Sequence, residues 1–256
     1  MARNLDPHQR DARLQEIRRQ NEADRRRARL LYGVAIGVVV ALVAVVVVAV
    51  VLSGGGGDDE VAYPEGTTLT SPDDPASGGF LVGEPGEVEV VVYEDYQCPF
   101  CRDLEEESGE LLRELAAGTD ASLVRRPVAI LDRVSDGYSS RAAAAAACVG
   151  EADPDALEAW GAQVFAEQPA EGGAGLPDER LVAIASEAGV DVGQCVEEGR
   201  YLGWATATTE AAAAELDRLS TPTVLVDGER VTGADGGYPS PDDLRAAVDA
   251  ALGAQG

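Results

Sequence analysis

The chain has 256 residues, of which 45% are hydrophobic and 26% charged, so it can bury a core and wholesale disorder is excluded. Its formal net charge of −26 excludes non-specific binding to nucleic acid, whose phosphates require Lys and Arg. Lysine is absent and His8 is the single histidine, which excludes a histidine triad, a histidine general base or a histidine-ligated metal site outside the N-terminal tail.

The N-terminal part predicts a membrane anchor. Residues 1–30 carry nine Arg against five acidic residues, and residues 31–52 contain no charge at all. As a helix, the apolar segment would be about 33 Å long, enough to span a bilayer. The positive-inside rule places residues 1–30 in the cytoplasm and the rest outside, as a single-pass protein of the cell membrane. A cleaved signal peptide is the alternative, against which stand the long basic region and the length of the apolar run.

Residues 53–77 predict a flexible linker. The segment combines four consecutive Gly with several Pro and acidic residues, a composition that keeps a chain extended and mobile. We therefore expect the folded domain to occupy residues 78–254.

The folded part opens with strand-like segments around a pair of cysteines. Phe80–Val82 and Val88–Tyr93 are predicted strands, and the continuous apolar run of the second predicts a buried central strand. The segment Cys98-Pro-Phe-Cys101 follows, and then a predicted helix with leucines at helical spacing that ends at Gly118. Residues 122–130 predict another strand. A CxxC pair within such a strand–helix–strand unit is typical of a redox site.

The position of the first cysteine predicts its reactivity. Cys98 would lie at the start of the helix, with Pro99 at the first helical position, where a missing N–H costs nothing. The unpaired N–H groups and the positive end of the helix dipole favour a thiolate on Cys98. Cys101, one turn later, lies within reach for a disulfide and is predicted to be the buried resolving thiol.

A second motif lies about 120 residues downstream. Ser220-Thr-Pro-Thr223 precedes two short strand-like segments joined by Asp-Gly, which predicts a hairpin. The bond before Pro222 is a candidate cis peptide, and an ordinary trans proline at the start of an edge strand is the alternative. Residues 241–252 predict a closing helix with Ser240 as its N-cap.

Together, VYEDYQCPFC and the distant STPTVLVDGERVTG resemble the DsbA-like branch of the thioredoxin superfamily, in its membrane-anchored Gram-positive and actinobacterial form. The resemblance covers roughly residues 78–254. It implies an α/β thioredoxin fold with a helical insertion subdomain, here preceded by one transmembrane helix. It also implies that Cys98 attacks, that Cys101 resolves, that Pro222 is a cis-proline facing them, and that Thr221, Pro99 and Phe100 contact an extended substrate.

Residues 135–217 fit the helical insertion of this family. Several segments of helical composition, separated by Gly and Pro, fill the region and include Cys148 and Cys195. An oxidising compartment would allow these two cysteines to form a stapling disulfide. A relay of electrons to or from Cys98 and Cys101 is the alternative.

The sequence also departs from the family pattern. Many relatives carry a buried acid six residues before the first cysteine, a position that Val92 occupies here, so tuning by Asp95 is an open question beside a capping or solvated role. The Pro-Phe dipeptide lacks the histidine of the strongly oxidising type, which predicts a less oxidising pair. Residues 105–107 are three consecutive Glu, for which a solvated helix face is the simplest interpretation.

The resemblance implies an extracytoplasmic enzyme that forms disulfides in secreted or cell-envelope proteins. A membrane quinone-linked reoxidase of the DsbB or VKOR type is the implied partner, and no organic cofactor, metal or nucleic acid is required. A reductase or isomerase with the same chemistry, or a non-catalytic thioredoxin-like binding module, are the alternatives. A zinc site built from all four cysteines is disfavoured, because Cys148 and Cys195 lack paired-knuckle spacing.

Overall fold

A computed structural model describes residues 61–65, 67–68 and 78–255. The predicted tail 1–30, the predicted anchor 31–52 and most of the predicted linker 53–77 lie outside these residues. Within the described part, none of the helices is both long and apolar enough to cross a membrane.

The centre of the fold is a six-stranded sheet in the order β1-β2-β4-β3-β5-β6. Strand β3 runs parallel to β4 and antiparallel to β5, and the other neighbouring pairs are antiparallel. The strands span Thr67–Thr68 (β1), Gly79–Val82 (β2), Val88–Glu94 (β3), Ala121–Pro127 (β4), Thr223–Val226 (β5) and Glu229–Val231 (β6). The apolar run of β3 is explained by its central place, because both of its faces are covered.

Two helices cover one face of the sheet. Helix α1 (Pro99–Ala117) contributes leucines and helix α7 (Pro241–Gln255) contributes Leu244 and Val248 to a cluster with the valines of β3 and β5. The predicted N-cap of α7 is confirmed, because the Ser240 hydroxyl accepts the Asp243 N–H at 3.3 Å and the Asp243 carboxylate accepts the Ser240 N–H at 3.0 Å.

The segment between β4 and β5 forms the helical insertion. Its helices are α2 (Tyr138–Ala152), α3 (Ala156–Ala166), α4 (Asp178–Glu187), α5 (Gly193–Glu197) and α6 (Leu202–Glu215). Alanines 142–147 of α2 are all buried in a cluster that includes Trp160 and Trp204. The small alanine side chains let the neighbouring helices approach α2 closely. The sheet, the helices on its faces and this inserted group of helices together confirm the predicted α/β fold with a helical insertion.

A disulfide joins two helices of this insertion. Cys148 of α2 and Cys195 of α5 are bonded, with their Cα atoms 6.0 Å apart and a sequence separation of 47. Closing a loop of this length stabilises the folded state by about 3–4 kcal/mol in the loop-entropy model.

Two consecutive arginines of β4 form ion pairs with helices on opposite faces of the sheet. Successive strand residues point to opposite sides, so Arg125 faces α1 and α3 while Arg126 faces α6. Arg125 pairs with Glu158 at 2.6 Å, and Arg126 pairs with Glu215 at 2.6 Å. Both arginines are buried, and their ion pairs therefore connect the insertion directly to the sheet.

Two details differ from the predicted boundaries. Strand β4 ends at Pro127 rather than at residue 130, because its partner β3 ends opposite at Glu94 and the chain then turns. In the predicted linker, Val61 and Ala62 pack against the insertion cluster, and Thr67–Thr68 pairs with β2. The described part of that segment is therefore in contact with the domain.

Candidate active site

Cys98 begins the helix that follows the central strand. It is the N-cap of α1, and Pro99 occupies the first turn. The Cys98 carbonyl accepts the N–H groups of Cys101 and Arg102 at 3.1 and 3.3 Å, while the Cys98 N–H donates to the Asp95 carbonyl at 2.8 Å. This turn holds the Cys98 side chain at the helix N-terminus, where the partial positive charge favours an anion.

The two thiols are electrostatically unequal. A hydrogen bond from the Cys101 thiol, together with backbone N–H groups of Phe100 and Cys101, lowers the pKa of Cys98 to about 7. Burial raises the pKa of Cys101 well above its usual value. Both cysteines are free in this structure, with 4% and 2% of their surfaces exposed. Cys98 therefore ionises at lower pH than Cys101 and is the better leaving group of the pair.

The proline loop lies against the first cysteine. The bond between Thr221 and Pro222 is cis, and the Cys98 sulfur lies 3.3 Å from the Thr221 carbonyl oxygen. Sheet register explains the contact, because Tyr93 at the end of β3 pairs with Thr223 at the start of β5. The residues after β3 and before β5 consequently meet at one edge, although 123 positions separate Cys98 from Thr221.

Asp95 organises the loop between β3 and α1. Its carboxylate accepts hydrogen bonds from the Gln97 N–H at 2.9 Å, the Leu131 N–H at 2.9 Å and the Ser139 hydroxyl at 2.8 Å. Burial raises its pKa, while these three hydrogen bonds act in the opposite direction. Of the roles left open above, the structure supports a structural one, because Asp95 joins the active-site loop to the first turn of the insertion.

The insertion also holds the residues just before Cys98. The buried Tyr96 ring lies 5.0 Å from Trp160 in an edge-on arrangement and 5.0 Å from Phe165. The side-chain amide of Gln168 donates to the carbonyls of Tyr96 and Cys98, each at 3.0 Å. Gln168 could not be recognised from the sequence, because a polar residue in a loop after a helix carries no signal that it will bond a backbone 70 residues away.

Below the cysteines lies a buried cluster of one arginine and three carboxylates. Arg125 contacts Glu94 at 3.0 Å, Glu105 at 3.1 Å and Glu158 at 2.6 Å, and all four side chains are at most 9% exposed. Burial raises the pKa of Glu94 to about 7, and the charge of Glu94 is in turn one of the causes that raise the pKa of Cys101.

This cluster corrects one interpretation of the sequence. Glu105 is not on a solvated helix face, because its carboxylate pairs with the buried Arg125 of β4. Glu94, two positions after the core residue Val92, is a second buried acid near the cysteines beside Asp95. Two consecutive arginines inside a predicted strand were the available signal, because one of them must face the covered side of the sheet, where a charge requires a partner.

The structure thus separates the predicted site residues into two groups. The first group lies around the Cys98 sulfur, where the loops after β3 and before β5 meet, and Cys101 is buried behind it. Its members are Cys98, Pro99, Phe100, Thr221 and Pro222. The bonded pair Cys148 and Cys195 belongs to the insertion helices. Among the described residues, no group of three or more potential metal ligands is arranged around a common point.

Residues 77–250 match the sequence profile of the thioredoxin family. No protein of curated function matches the chain by sequence.

Solved structures with similar folds include two proteins of Mycobacterium tuberculosis. Reduced DsbA has 32% sequence identity, covers 69% of this chain and 95% of its own, and superimposes with a TM-score of 0.54. The reduced disulfide bond oxidoreductase DsbG has 33% identity, covers 76% of this chain and 91% of its own, with a TM-score of 0.57. MdbA, a thiol-disulfide oxidoreductase from Corynebacterium diphtheriae, shares the fold at 21% identity, 76% and 97% coverage and a TM-score of 0.55.

The inequality of the thiols predicts a pH profile for alkylation. In the reduced full-length chain, Cys98 should react with iodoacetamide in proportion to its thiolate, with a midpoint at a pKa of about 7, and Cys101 should react far more slowly. Because the Cys101 thiol is the largest cause of the lowered pKa, Cys101→Ala should move the midpoint of Cys98 up toward about 8.5. Mass spectrometry of the modified peptides measures both, and a wild-type midpoint above about 8 would contradict the assignment.

The buried Glu94 predicts a pH dependence of stability. Its pKa of about 7 in the folded protein exceeds the ordinary value of 4.5, so the native state binds more protons between these values. The stabilisation is then fully present below pH 4.5 and is lost as the pH rises through 7, by on the order of 3 kcal/mol. Glu94→Gln should flatten this slope, while Glu110→Gln on the exposed side of α1 should not.

Urea unfolding across this pH range measures the slope, with Cys98 and Cys101 kept oxidised so that neither titrates. Equal slopes for wild type and Glu94→Gln would show that Glu94 does not control this stability.

Proposed function

The chain belongs to the thioredoxin family, among its DsbA-like thiol-disulfide oxidoreductases, and we propose that it donates disulfides to secreted or cell-envelope proteins. The observation that carries the proposal is the geometry of the site in a chain similar to DsbA and DsbG: Cys98 lies at the start of α1 beside the cis Thr221–Pro222 bond, and Cys101 is buried behind it. The lowered pKa of Cys98 makes it the better leaving group of the pair, as disulfide exchange with a client requires.

The reaction begins with the Cys98–Cys101 disulfide form of the enzyme. A client thiolate attacks the Cys98 sulfur, the bond between the two cysteines breaks, and Cys101 departs and takes up a proton. A second client thiolate then attacks the client sulfur of this mixed disulfide, and Cys98 leaves as a thiolate. Two electrons have passed to the enzyme and a disulfide has formed in the client.

The loop at Pro222 is the proposed docking edge for the client backbone. Thr221 precedes the cis-proline and already places its carbonyl 3.3 Å from the Cys98 sulfur. An extended client segment beside this loop would present its cysteine to Cys98. Pro99 and Phe100, between the two cysteines, are the proposed contacts on the other side.

We also propose that residues 31–52 anchor the enzyme in the cell membrane, with residues 1–30 in the cytoplasm and the catalytic domain outside. The uncharged apolar run and its basic flank support this orientation. The Cys148–Cys195 disulfide in the insertion is of a kind that persists in oxidising compartments. Reoxidation of Cys98 and Cys101 is assigned to a membrane quinone-linked partner of the DsbB or VKOR type.

The reduction potential of the Cys98–Cys101 pair tests the direction of electron flow. We expect about −120 to −180 mV, the range of oxidases and isomerases. A value near about −270 mV would favour a reductase, and one below about −300 mV a structural bond in a binding module. The full-length chain would be equilibrated in glutathione buffers, with thiol trapping and mass spectrometry following all four cysteines.

A variant provides the control for the attacking residue. Cys101→Ser, mixed with a disulfide-bonded peptide dimer, should accumulate a mixed disulfide on Cys98: the Cys98 thiolate attacks one peptide sulfur, the other peptide leaves as a thiol, and no resolving thiol releases the adduct. Cys98→Ser should form none, and trapping at Cys101 instead would reverse the assigned roles.

The orientation predicts the outcome of proteolysis on intact cells. Proteinase K added outside should degrade a C-terminal epitope tag while residues 1–52 stay with the cells, because only the domain is exposed. Immunoblotting before and after lysis measures this. Protection of the tag until lysis would place the domain in the cytoplasm.

A further inference from the structure

Two adjoining cavities open beside the proposed client edge. The first, of about 290 Å³, extends from Thr221 and Pro222 past Phe100 to Tyr238. The second, of about 580 Å³, lies between the first turns of α1 and the loop that precedes α7. Both are lined by Phe100, Asp235, Gly237 and Tyr238, so they form one groove that starts at the residue in contact with the Cys98 sulfur.

The groove has an aromatic wall. Phe100 is 59% exposed, more than any other large hydrophobic residue in the described part of the chain. Its ring centre lies 6.5 Å from that of Tyr238. The exposed Phe100 ring and the partly buried Tyr238 ring offer faces on which a planar cation can stack.

The far end of the groove is acidic. The second cavity is lined by four acidic residues and by no arginine. The four are Asp103, Glu107, Asp235 and Asp243. Glu107 accepts the Tyr238 hydroxyl at 3.3 Å, and Asp235 accepts the Gly237 N–H at 2.9 Å. Of these four carboxylates, Asp103 alone has an ion pair among the described residues, with Arg102.

The two ends of the groove differ in charge. Arg230 lines the first cavity, where its guanidinium donates to the Thr223 hydroxyl at 2.7 Å and to the Arg218 carbonyl at 2.8 Å. A client segment that crosses the proline loop therefore meets a cation at one end and unpaired carboxylates beyond Phe100 at the other. This polarity gives the groove a direction along the client chain.

We propose that this groove selects client segments with an arginine placed on the Phe100 side of the reacting cysteine. The guanidinium would stack on Phe100 and Tyr238 and pair with Glu107 and Asp235, and a lysine would fit less well because it cannot stack as a plane. The inference rests on the proposed function, since it names the client chemistry of the same site.

Peptides of one sequence with two cysteines test the proposal. Each would carry Arg, Gln or Glu at a single flanking position, and the position would be scanned on both sides of the reacting cysteine. The rate at which each dithiol peptide reduces the oxidised full-length protein is measured by thiol trapping. We expect the Arg peptide to react about 10-fold faster than the Glu peptide at low salt, at positions on one side only, and the ratio to fall with added salt.

Charge-matched variants separate the groove from the general attraction of a chain with net charge −26. E107Q/D235N keeps the acceptor oxygens for Tyr238 and Gly237 but removes two charges. In this variant the Arg peptide should react only about 2-fold faster than the Glu peptide. E110Q/D249N removes two charges at exposed positions outside the groove and should keep the wild-type ratio. The Arg-peptide and Glu-peptide rates are compared within the same variant, so a smaller fraction of folded protein lowers both rates equally and leaves their ratio unchanged.

Three outcomes would overturn the proposal. An Arg preference that is equal on both sides of the cysteine, or one that both double variants reduce equally, would assign the effect to net charge alone. Exchange of Cys98 with dithiothreitol in a protein that shows no Arg preference would refute the groove while the proposed function stands. A protein that exchanges with neither dithiothreitol nor any peptide would refute both.

Discussion

The antiparallel pairing of β3 with β5 is the constraint on which the site depends. It places the loop after β3, which contains Cys98, beside the loop before β5, which contains Thr221. The Thr221 carbonyl oxygen therefore lies 3.3 Å from the Cys98 sulfur. Without this register, the helix start at Cys98 would still favour a thiolate, but it would have no adjacent backbone edge for a client. The hairpin of β5 and β6 and the helix that follows then supply the walls of the groove.

Charge inside the domain has two different uses. The consecutive arginines of β4 fasten helices of the insertion to both faces of the sheet, and the desolvation of these cations is offset by carboxylates from other elements. Arg125 stands among three carboxylates, and the charge of one of them, Glu94, acts on Cys101. Burial of Cys101 and the charge of Glu94 both favour the protonated form of Cys101, while the helix start favours the thiolate of Cys98.

The insertion does more than enlarge the domain. Hydrogen bonds and ring contacts connect the loop before Cys98 to the insertion, through Asp95, Tyr96 and Gln168. The position of the Cys98 sulfur therefore depends on how the insertion packs. The opposite side of Cys98, formed by Phe100 and the loop before α7, is open and acidic. One side of the site is therefore packed against the insertion, and the other is open to solvent.

The sequence by itself determined the central strand, the helix beginning at Cys98, the hairpin after Pro222 and the insertion, because apolar periodicity, capping residues and Gly or Pro breaks act locally. It also identified the residues around the reactive cysteine through two motifs. Only the tertiary structure decided that Glu94 and Glu105 are buried against Arg125, that Gln168 holds the active-site loop, and that acidic residues from α1 and the loop before α7 share one groove. These depend on which surfaces meet when elements far apart in the chain pack together, and local propensity carries no information about that.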